Sequence, residues 1–275
     1  MAPPTDRRRT TRRRRADRLL RVALPLAVIV AAVVLWDRIV VHYAIPHYTL
    51  PRPGLVLETL VADWPILWPA LLNTLTITLL GLLVAVLGGG LLAILFSASK
   101  LIERALTPIA IIFQVTPIVA VFPLINIYVD DQTTKLLICT FVIAFFPILS
   151  NTTLGLKATD RHLVDLFALY GATRWQTLLV LRLPATLPYF LGGLRIAGGL
   201  ALIGAVVAEF VAGTSGFGAG LASRIFESGY RLNMPRLFAA LVLVFATGIT
   251  IYLTLAALSR LALQHWHESE RERDD

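Results

Sequence analysis

The sequence predicts an all-α membrane protein with about six transmembrane helices. Hydrophobic residues make up 57% of the 275 residues and charged residues only 15%, and the mean hydropathy is +0.75. A water-soluble globule keeps more polar surface than this composition allows. Six apolar stretches are each long enough to cross about 30 Å of hydrocarbon as a helix, which satisfies its backbone hydrogen bonds internally. They are 19–41, 70–97, 105–129, 135–156, 187–212 and 237–263.

The positive charge is concentrated at the N-terminus. The formal net charge is +8, and the first 21 residues supply nine Arg against two Asp, a local balance of +7. Arginine runs beside an apolar span are typical of a cytoplasmic segment that faces anionic lipid, so no nucleic-acid partner is expected. The apolar run that follows is longer than a signal-peptide core and lacks a clear small-residue cleavage site, which favours a first span.

The distribution of Lys and Arg along the whole chain predicts the topology. Most lie in the N-terminal tail, in the 97–107 and 157–184 connections and at the C-terminal end. Because cytoplasmic loops carry an excess of Lys and Arg, both termini are predicted in the cytoplasm. The exception is the 213–236 loop, predicted outside, which carries Arg224, Arg231 and Arg236.

This topology divides the chain into four parts. Residues 1–18 form a basic cytoplasmic tail, and 19–69 contain the first span and an outer connection. Residues 70–263 form a core of five spans that includes a cytoplasmic loop, 157–186. Residues 264–275 form a charged cytoplasmic tail.

Two spans carry small residues at every fourth position. Such ridges allow helix backbones to approach closely, which is how helices associate in lipid. The ridges predict either packing within the bundle or a dimer face. They comprise Gly81, Ala85, Gly89, Ala93 and Ser97 in the second span, and Gly193, Ala197, Ala201 and Ala205 in the fifth.

Proline interrupts the third and fourth predicted spans, at Pro117, Pro123 and Pro147. Proline lacks an N–H and its ring clashes with the preceding turn, so each position predicts a kink.

The segment 157–190 is too polar to span the membrane and is still periodic. Four apolar side chains recur at helical spacing, at Leu163, Leu166, Phe167 and Tyr170. Asp160 is the predicted N-cap of a first short helix that Gly171 ends. A second short helix is predicted from Thr173 to a stop at Leu183-Pro184.

This segment resembles a motif of the permease subunits of bacterial ABC importers. The family motif is Glu-Ala-Ala, three residues, Gly, nine residues, and Ile-x-Leu-Pro. Gly171 and the Leu-Arg-Leu-Pro run at 181–184 reproduce its spacing. Asp165-Leu166-Phe167 stands where the family has Glu-Ala-Ala, and Leu181 replaces the Ile. The run 189–221 is similar to the nitrate, sulfonate and taurine branch, which also includes transporters of thiamine-precursor pyrimidines and riboflavin.

The resemblance implies a type I ABC importer permease-like fold and a non-catalytic subunit. In that family the loop is a coupling helix that docks on a separate ATPase, which binds ATP and Mg; no cofactor is expected in this chain. The implied partners are ABC ATPase subunits, a second permease copy and an extracytoplasmic solute-binding protein, assembled at the bacterial cytoplasmic (inner) membrane. The implied solute is sulfonate-, nitrate- or taurine-like, or a vitamin precursor such as hydroxymethylpyrimidine or riboflavin. The implied coupling residues are Asp165, Leu166, Phe167, Tyr170, Gly171, Ala172, Arg174, Trp175, Leu183 and Pro184.

Three polar residues within spans are candidates for the pathway or a gate: Glu209, Gln114 and Asn126. A charged carboxylate near the bilayer centre costs about 3 kcal/mol, so Glu209 must face protein or water. Arg195 lies 14 residues away, about 21 Å along a helix, and cannot pair with it. Glu209 is therefore either a residue near the pathway or a gate, or a buried strut that is hydrogen-bonded to loop backbone, for example around 213–218.

The sequence predicts no disulfide, metal site or nucleotide-binding loop in this chain. Cys139 is the single cysteine, which excludes an intramolecular disulfide, and the histidines lack neighbours for a metal site. The glycine-rich run 213–220 lacks the Lys-Ser/Thr ending of a phosphate-binding loop. Two alternatives remain open, an ion-driven secondary transporter and a polytopic membrane enzyme. The first would be favoured by an inverted repeat and the second by converging acid–base residues.

Overall fold

The computed structural model describes residues 6–213 and 219–264, with side chains from residue 23 onward. All of the described elements are helical. The α-helices are α1 (Asp6–His42), α2 (Pro53–Ala62), α3 (Trp64–Ala98), α4 (Lys100–Val115), α5 (Ile118–Tyr128), α6 (Gln132–Lys157), α7 (Arg161–Leu169), α8 (Arg174–Gln176), α9 (Leu183–Ala212), α10 (Leu221–Tyr230) and α11 (Met234–Leu263). A π-helical turn, Thr177–Arg182, joins α8 to α9.

The prediction of an all-α membrane protein with about six spans is confirmed. Within the described residues, five helical stretches are long and apolar enough to cross a membrane, and α4 with α5 form a bent pair that makes up to six. The five are Ala23–His42, α3, α6, the continuous stretch Arg174–Ala212 and α11. The N-terminal helix begins at Asp6 and includes most of the predicted tail, because arginine is a good helix former. The predicted C-terminal tail lies outside the described residues, apart from Gln264.

The third predicted span, 105–129, is wrong as a single helix. It consists of α4 and α5, which meet at an angle of 101°. Thr116 and Pro117 between them have extended backbone, with ψ of 119° and 103°. Proline disfavours a helical conformation at the preceding residue and donates no hydrogen bond, so the helix ends there. Pro123 and Pro147 lie inside helices.

The predicted stop at Leu183-Pro184 is also wrong. The short helix that follows Thr173 continues through the π-helical turn into α9. The Leu183 N–H donates to the Leu178 carbonyl, five residues back. Pro184 lies in the first turn of α9, where the missing N–H of a proline is tolerated. The hydrogen-bonding pattern therefore changes from π-helical to α-helical next to a residue that has no backbone N–H to leave unpaired.

The small-residue ridges pack inside the bundle. A Cβ at Gly81 would overlap the Thr140 side chain of α6, and one at Gly89 would press against Ile148. On α9, Gly193 lies against Asn151 of α6. Close approach of helix backbones supplies the contact that lipid does not drive. The intramolecular interpretation therefore holds for these three glycines.

The chain forms two compact units, one of residues 6–63 with 228–239 and one of 64–227 with residues from 240 onward. In the first unit, Arg236 Nε is 2.6 Å from the Asp63 carboxylate. In the second unit, Arg224 is 3.0 Å from Glu227. Two of the three arginines in the loop predicted outside are thus ion-paired.

Candidate functional site

The segment that follows α6 is fixed by two sets of local hydrogen bonds. At the start of α7, the Asp160 carboxylate accepts from the His162 N–H at 2.8 Å, as predicted. At its end, Gly171 has φ +74°, a left-handed conformation that glycine adopts without a steric penalty. The Gly171 N–H donates to Ala168 and the Ala172 N–H to Phe167, at 3.0 and 2.9 Å. These two hydrogen bonds form a Schellman motif, which satisfies the last carbonyls of the helix.

The next helix begins one residue later with a capping box. The Thr173 hydroxyl accepts from the Gln176 N–H at 3.2 Å, and the Gln176 side chain accepts from the Thr173 N–H at 2.7 Å. This capping box satisfies two backbone N–H groups at the start of the helix. Because both helix ends are capped and only Ala172 separates the turn at Gly171 from the N-cap at Thr173, the segment is a stiff corner.

The outer surface of this corner is apolar and uncovered. Tyr170 is 85% exposed and Trp175 is 64% exposed, with Leu166 and Leu169 beside them in sequence also exposed. Asp165 and Arg174 are exposed, whereas Phe167, Ala172, Leu183 and Pro184 are half-buried. Trp175 also lines the groove that lies between this segment and residues 97–100. Large exposed apolar side chains in a segment predicted too polar to span the membrane indicate an interaction site.

The inner side of the corner is attached to the bundle. Leu178 is buried in the core that also contains Phe96, and the Arg182 guanidinium donates to the Ser97 hydroxyl at 3.4 Å. A groove of about 850 Å³ separates the rest of the segment from residues 97–100. Lys157 at the end of α6 forms an ion pair with Glu103 of α4. The corner is therefore held at its base and free at its tip.

Glu209 lies at the opposite end of the bundle and is 1% exposed. Its carboxylate accepts from the Ala222 N–H at 3.1 Å, and the Thr74 hydroxyl lies beside it. The Thr74 hydroxyl also accepts from the Leu221 N–H at 2.8 Å. Gly220 lies so close that a Cβ there would overlap the carboxylate. Glu209 thus ties the start of α10 to α3 and α9.

This geometry corresponds to the strut alternative, with a different partner. The sequence suggested loop backbone around 213–218 as an example of a partner, and the observed donor is the Ala222 N–H, a few residues further along the chain. Residues 214–218 lie outside the described part of the chain. Glu209 and Ala222 are 13 residues apart, and no local sequence pattern predicts a hydrogen bond between a helix and the start of the next one.

The two other pathway candidates lie elsewhere. Gln114 is exposed near the end of α4. Asn126 of α5 accepts a hydrogen bond from the Lys135 ammonium at 2.8 Å. No contact in the described residues joins either of them to Glu209, and their role in a pathway stays a prediction. Lys135 was not among the candidates predicted from the sequence, because a lysine at the first position of a predicted span is expected to face solvent or lipid headgroups.

Comparison with known proteins gives a family match over most of the chain. Residues 85–264 match the family described as "Binding-protein-dependent transport system inner membrane component". A probable ABC transporter permease protein of Haemophilus influenzae is 31% identical over 86% of this chain and 95% of its own length. The riboflavin transport system permease protein RibX of Chloroflexus aurantiacus is 33% identical over 86% of this chain and 87% of its own. The formylaminopyrimidine transport permease protein ThiX of Halalkalibacterium halodurans is 33% identical over 81% and 88%.

Two solved structures share the fold. One, described as an amino acid ABC transporter with histidines, superposes with a TM-score of 0.62 at 19% identity, covering 74% of this chain and 97% of its own. The MetNI methionine ABC transporter gives a TM-score of 0.56 at 19% identity, covering 77% and 98%. The family match and the relatives more than 30% identical favour the ABC permease prediction over the ion-driven transporter and the membrane enzyme.

Proposed function

Because the chain belongs to the family of binding-protein-dependent transport system inner membrane components, and is thus the permease subunit of an ABC importer for a small solute, we propose that its segment 157–186 is the coupling element. The exposed surface formed by Leu166, Leu169, Tyr170 and Trp175 docks on a separate ATPase subunit. Closure of the ATPases around ATP displaces this surface, and the displacement is carried into the bundle.

One observation carries the proposal, the continuity of the helix that follows the corner. From Arg174 to Ala212 the chain is helical without interruption. Trp175, near the start of that stretch, is exposed, and Glu209, near its end, is buried. A packed helix moves as a rigid element and is not continuously deformable, so a push at one end reaches the other.

The proposal includes the assembly and its energetics. ATP and Mg are bound by the ATPase, and this chain performs no covalent step. Two copies of the chain form the pathway, and an extracytoplasmic binding protein delivers the solute. The bent pair α4–α5 offers a surface for a second copy, because the five consecutive residues 111–115 are all exposed and four of them are apolar, so that protein or lipid has to cover them. The chain lies in the bacterial cytoplasmic membrane with both termini in the cytoplasm.

The relatives support a proposal for the solute class. Permeases named for riboflavin, formylaminopyrimidine, taurine and nitrate are 28–33% identical to this chain. We expect a small solute of the same range, either a sulfonate-, nitrate- or taurine-like anion or a vitamin precursor such as hydroxymethylpyrimidine or riboflavin.

Retention of the ATPase tests the coupling surface. The double variant Tyr170→Ser, Trp175→Ser is expected to retain about tenfold less ATPase on copurification, because each exposed aromatic that anchors an interface contributes roughly 1 kcal/mol or more. Tyr128→Ser is the matched control: Tyr128 is equally exposed, at 83%, and lies at the end of α5, next to the start of α6. Equal retention by the double variant and the control would contradict the proposal.

A further inference from the structure

A second buried charge lies at the end of the bundle opposite the corner. Lys135, in the first turn of α6, is 9% exposed, and about 33 Å of helix separates it from Lys157 at the other end. Within the described residues, its one hydrogen bond is to the Asn126 amide oxygen at 2.8 Å. An ammonium has three donors, so two of them are unassigned.

Among the described residues, no carboxylate forms a salt bridge with this ammonium. Asp131 is fully exposed, and its carboxylate accepts from the Thr134 N–H and hydroxyl at 2.7 and 2.6 Å. These bonds hold the pKa of Asp131 below its ordinary value, and Coulomb attraction to Lys135 is the weakest of the contributing effects. The Glu209 carboxylate faces Thr74 and the Ala222 N–H.

A second unsatisfied donor lies on the same face of α6. The Gln132 side-chain nitrogen is buried and has no hydrogen-bond partner in the described structure. Gln132 precedes Lys135 by three residues, a spacing that places two side chains next to each other on a helix. Burying an unpaired charge and an unpaired amide is costly, and native proteins retain such groups mainly where something else satisfies them.

From this arrangement we infer that Lys135 and Gln132 form a binding site for an oxyanion, a sulfonate, nitrate or carboxylate group, with Asn126 orienting the ammonium. Both groups donate hydrogen bonds, and one is positively charged, which is the chemistry that an anionic oxygen requires. The inference rests on the proposed function, since it takes the oxyanion to be a group of the transported solute. It selects the anionic solutes from the range carried by the relatives.

The test uses the transporter assembled with its ATPase in nanodiscs of neutral phosphatidylcholine. The probe is methanesulfonate, titrated against chloride at equal ionic strength while thermal unfolding of the complex is followed. Wild type and Lys135→Arg are expected to be stabilised by methanesulfonate. Lys135→Met is expected to lose about tenfold or more in apparent affinity, because hydrogen bonds to charged groups contribute about 1.5–3 kcal/mol. Lys100→Met, which removes an exposed lysine at the other end of the bundle, is the control and keeps the response.

Three outcomes overturn the inference. In the first, methanesulfonate and chloride stabilise the wild type equally. In the second, methanesulfonate stabilises Lys135→Met as much as wild type. In the third, only anionic phosphatidylglycerol in the nanodisc, and not methanesulfonate, stabilises the complex. The last would assign the oxyanion to a lipid headgroup. If Lys135→Met does not fold, Gln132→Leu is used, which removes the second donor and is expected to weaken the apparent affinity for methanesulfonate about threefold or more; an unchanged affinity in Gln132→Leu overturns the inference. If the complex retains its ATPase and methanesulfonate does not stabilise it, the oxyanion inference is wrong and the coupling proposal is unaffected.

Discussion

Replacing Gly171 with valine is expected to abolish most ATP-driven uptake while the chain still inserts in the membrane. Gly171 has φ +74° and no neighbouring atom within 4 Å of a Cβ position, so the penalty is conformational and not steric crowding. A side chain in the left-handed region costs about 1–2 kcal/mol, more when β-branched, and 1.4 kcal/mol is a factor of about ten in population. We therefore expect uptake per ATP hydrolysed to fall by about tenfold or more, because the two capped helices no longer meet at the native corner.

Asparagine provides the control at the same position. It tolerates the left-handed region better than any other L-residue of similar size. Gly171→Asn is therefore expected to retain most of the coupling in reconstituted vesicles. Equal uptake and equal coupling ratios in the valine variant and wild type would show that the turn geometry plays no part in transmission.

Replacing Glu209 with alanine is expected to give the largest loss of stability. The change leaves the buried Ala222 N–H without an acceptor, which costs about 1–3 kcal/mol. It also removes a side chain that Gly220 and Thr74 enclose, and the resulting cavity adds to the cost. The apparent Tm of the purified chain is expected to fall by about 5 °C or more.

Glutamine at position 209 separates the strut from a gate. Its carbonyl oxygen can accept from the Ala222 N–H, so a strut is largely preserved and both stability and uptake stay close to wild type. A gate that needs the carboxylate charge would lose uptake at unchanged stability. The second result would contradict the structural assignment of Glu209.

Features that depend on local chemistry could be predicted from the sequence. Hydropathy over about 20 residues predicted the spans, because backbone groups in lipid have to bond within their own segment. The cap at Asp160, the left-handed turn at Gly171 and the helix start at Thr173 follow from side chains within three residues of each helix end. The structure confirms these three positions.

Features that depend on distant packing could not be predicted. Pro117 signals a break in the third span, but a kinked helix and a 101° corner share the same local sequence. At Pro184, proline normally indicates a helix boundary; the π-helical turn allows the helix to continue past it. The partner of Thr74 lies 147 residues away along the chain, and the burial of Lys135 depends on how α5 folds back on α6.

Chemical labelling of a cysteine at position 170 tests the coupling assignment most directly. The native Cys139 is fully buried, and Cys139→Ser gives a clean background for Tyr170→Cys and for the control Tyr128→Cys. We predict that a membrane-impermeant maleimide labels position 128 but not 170 in spheroplasts. In inverted vesicles it should label position 170 only when the ATPase is absent. Labelling of position 170 from outside, or unchanged labelling when the ATPase is bound, would contradict the assignment of this segment as the coupling element.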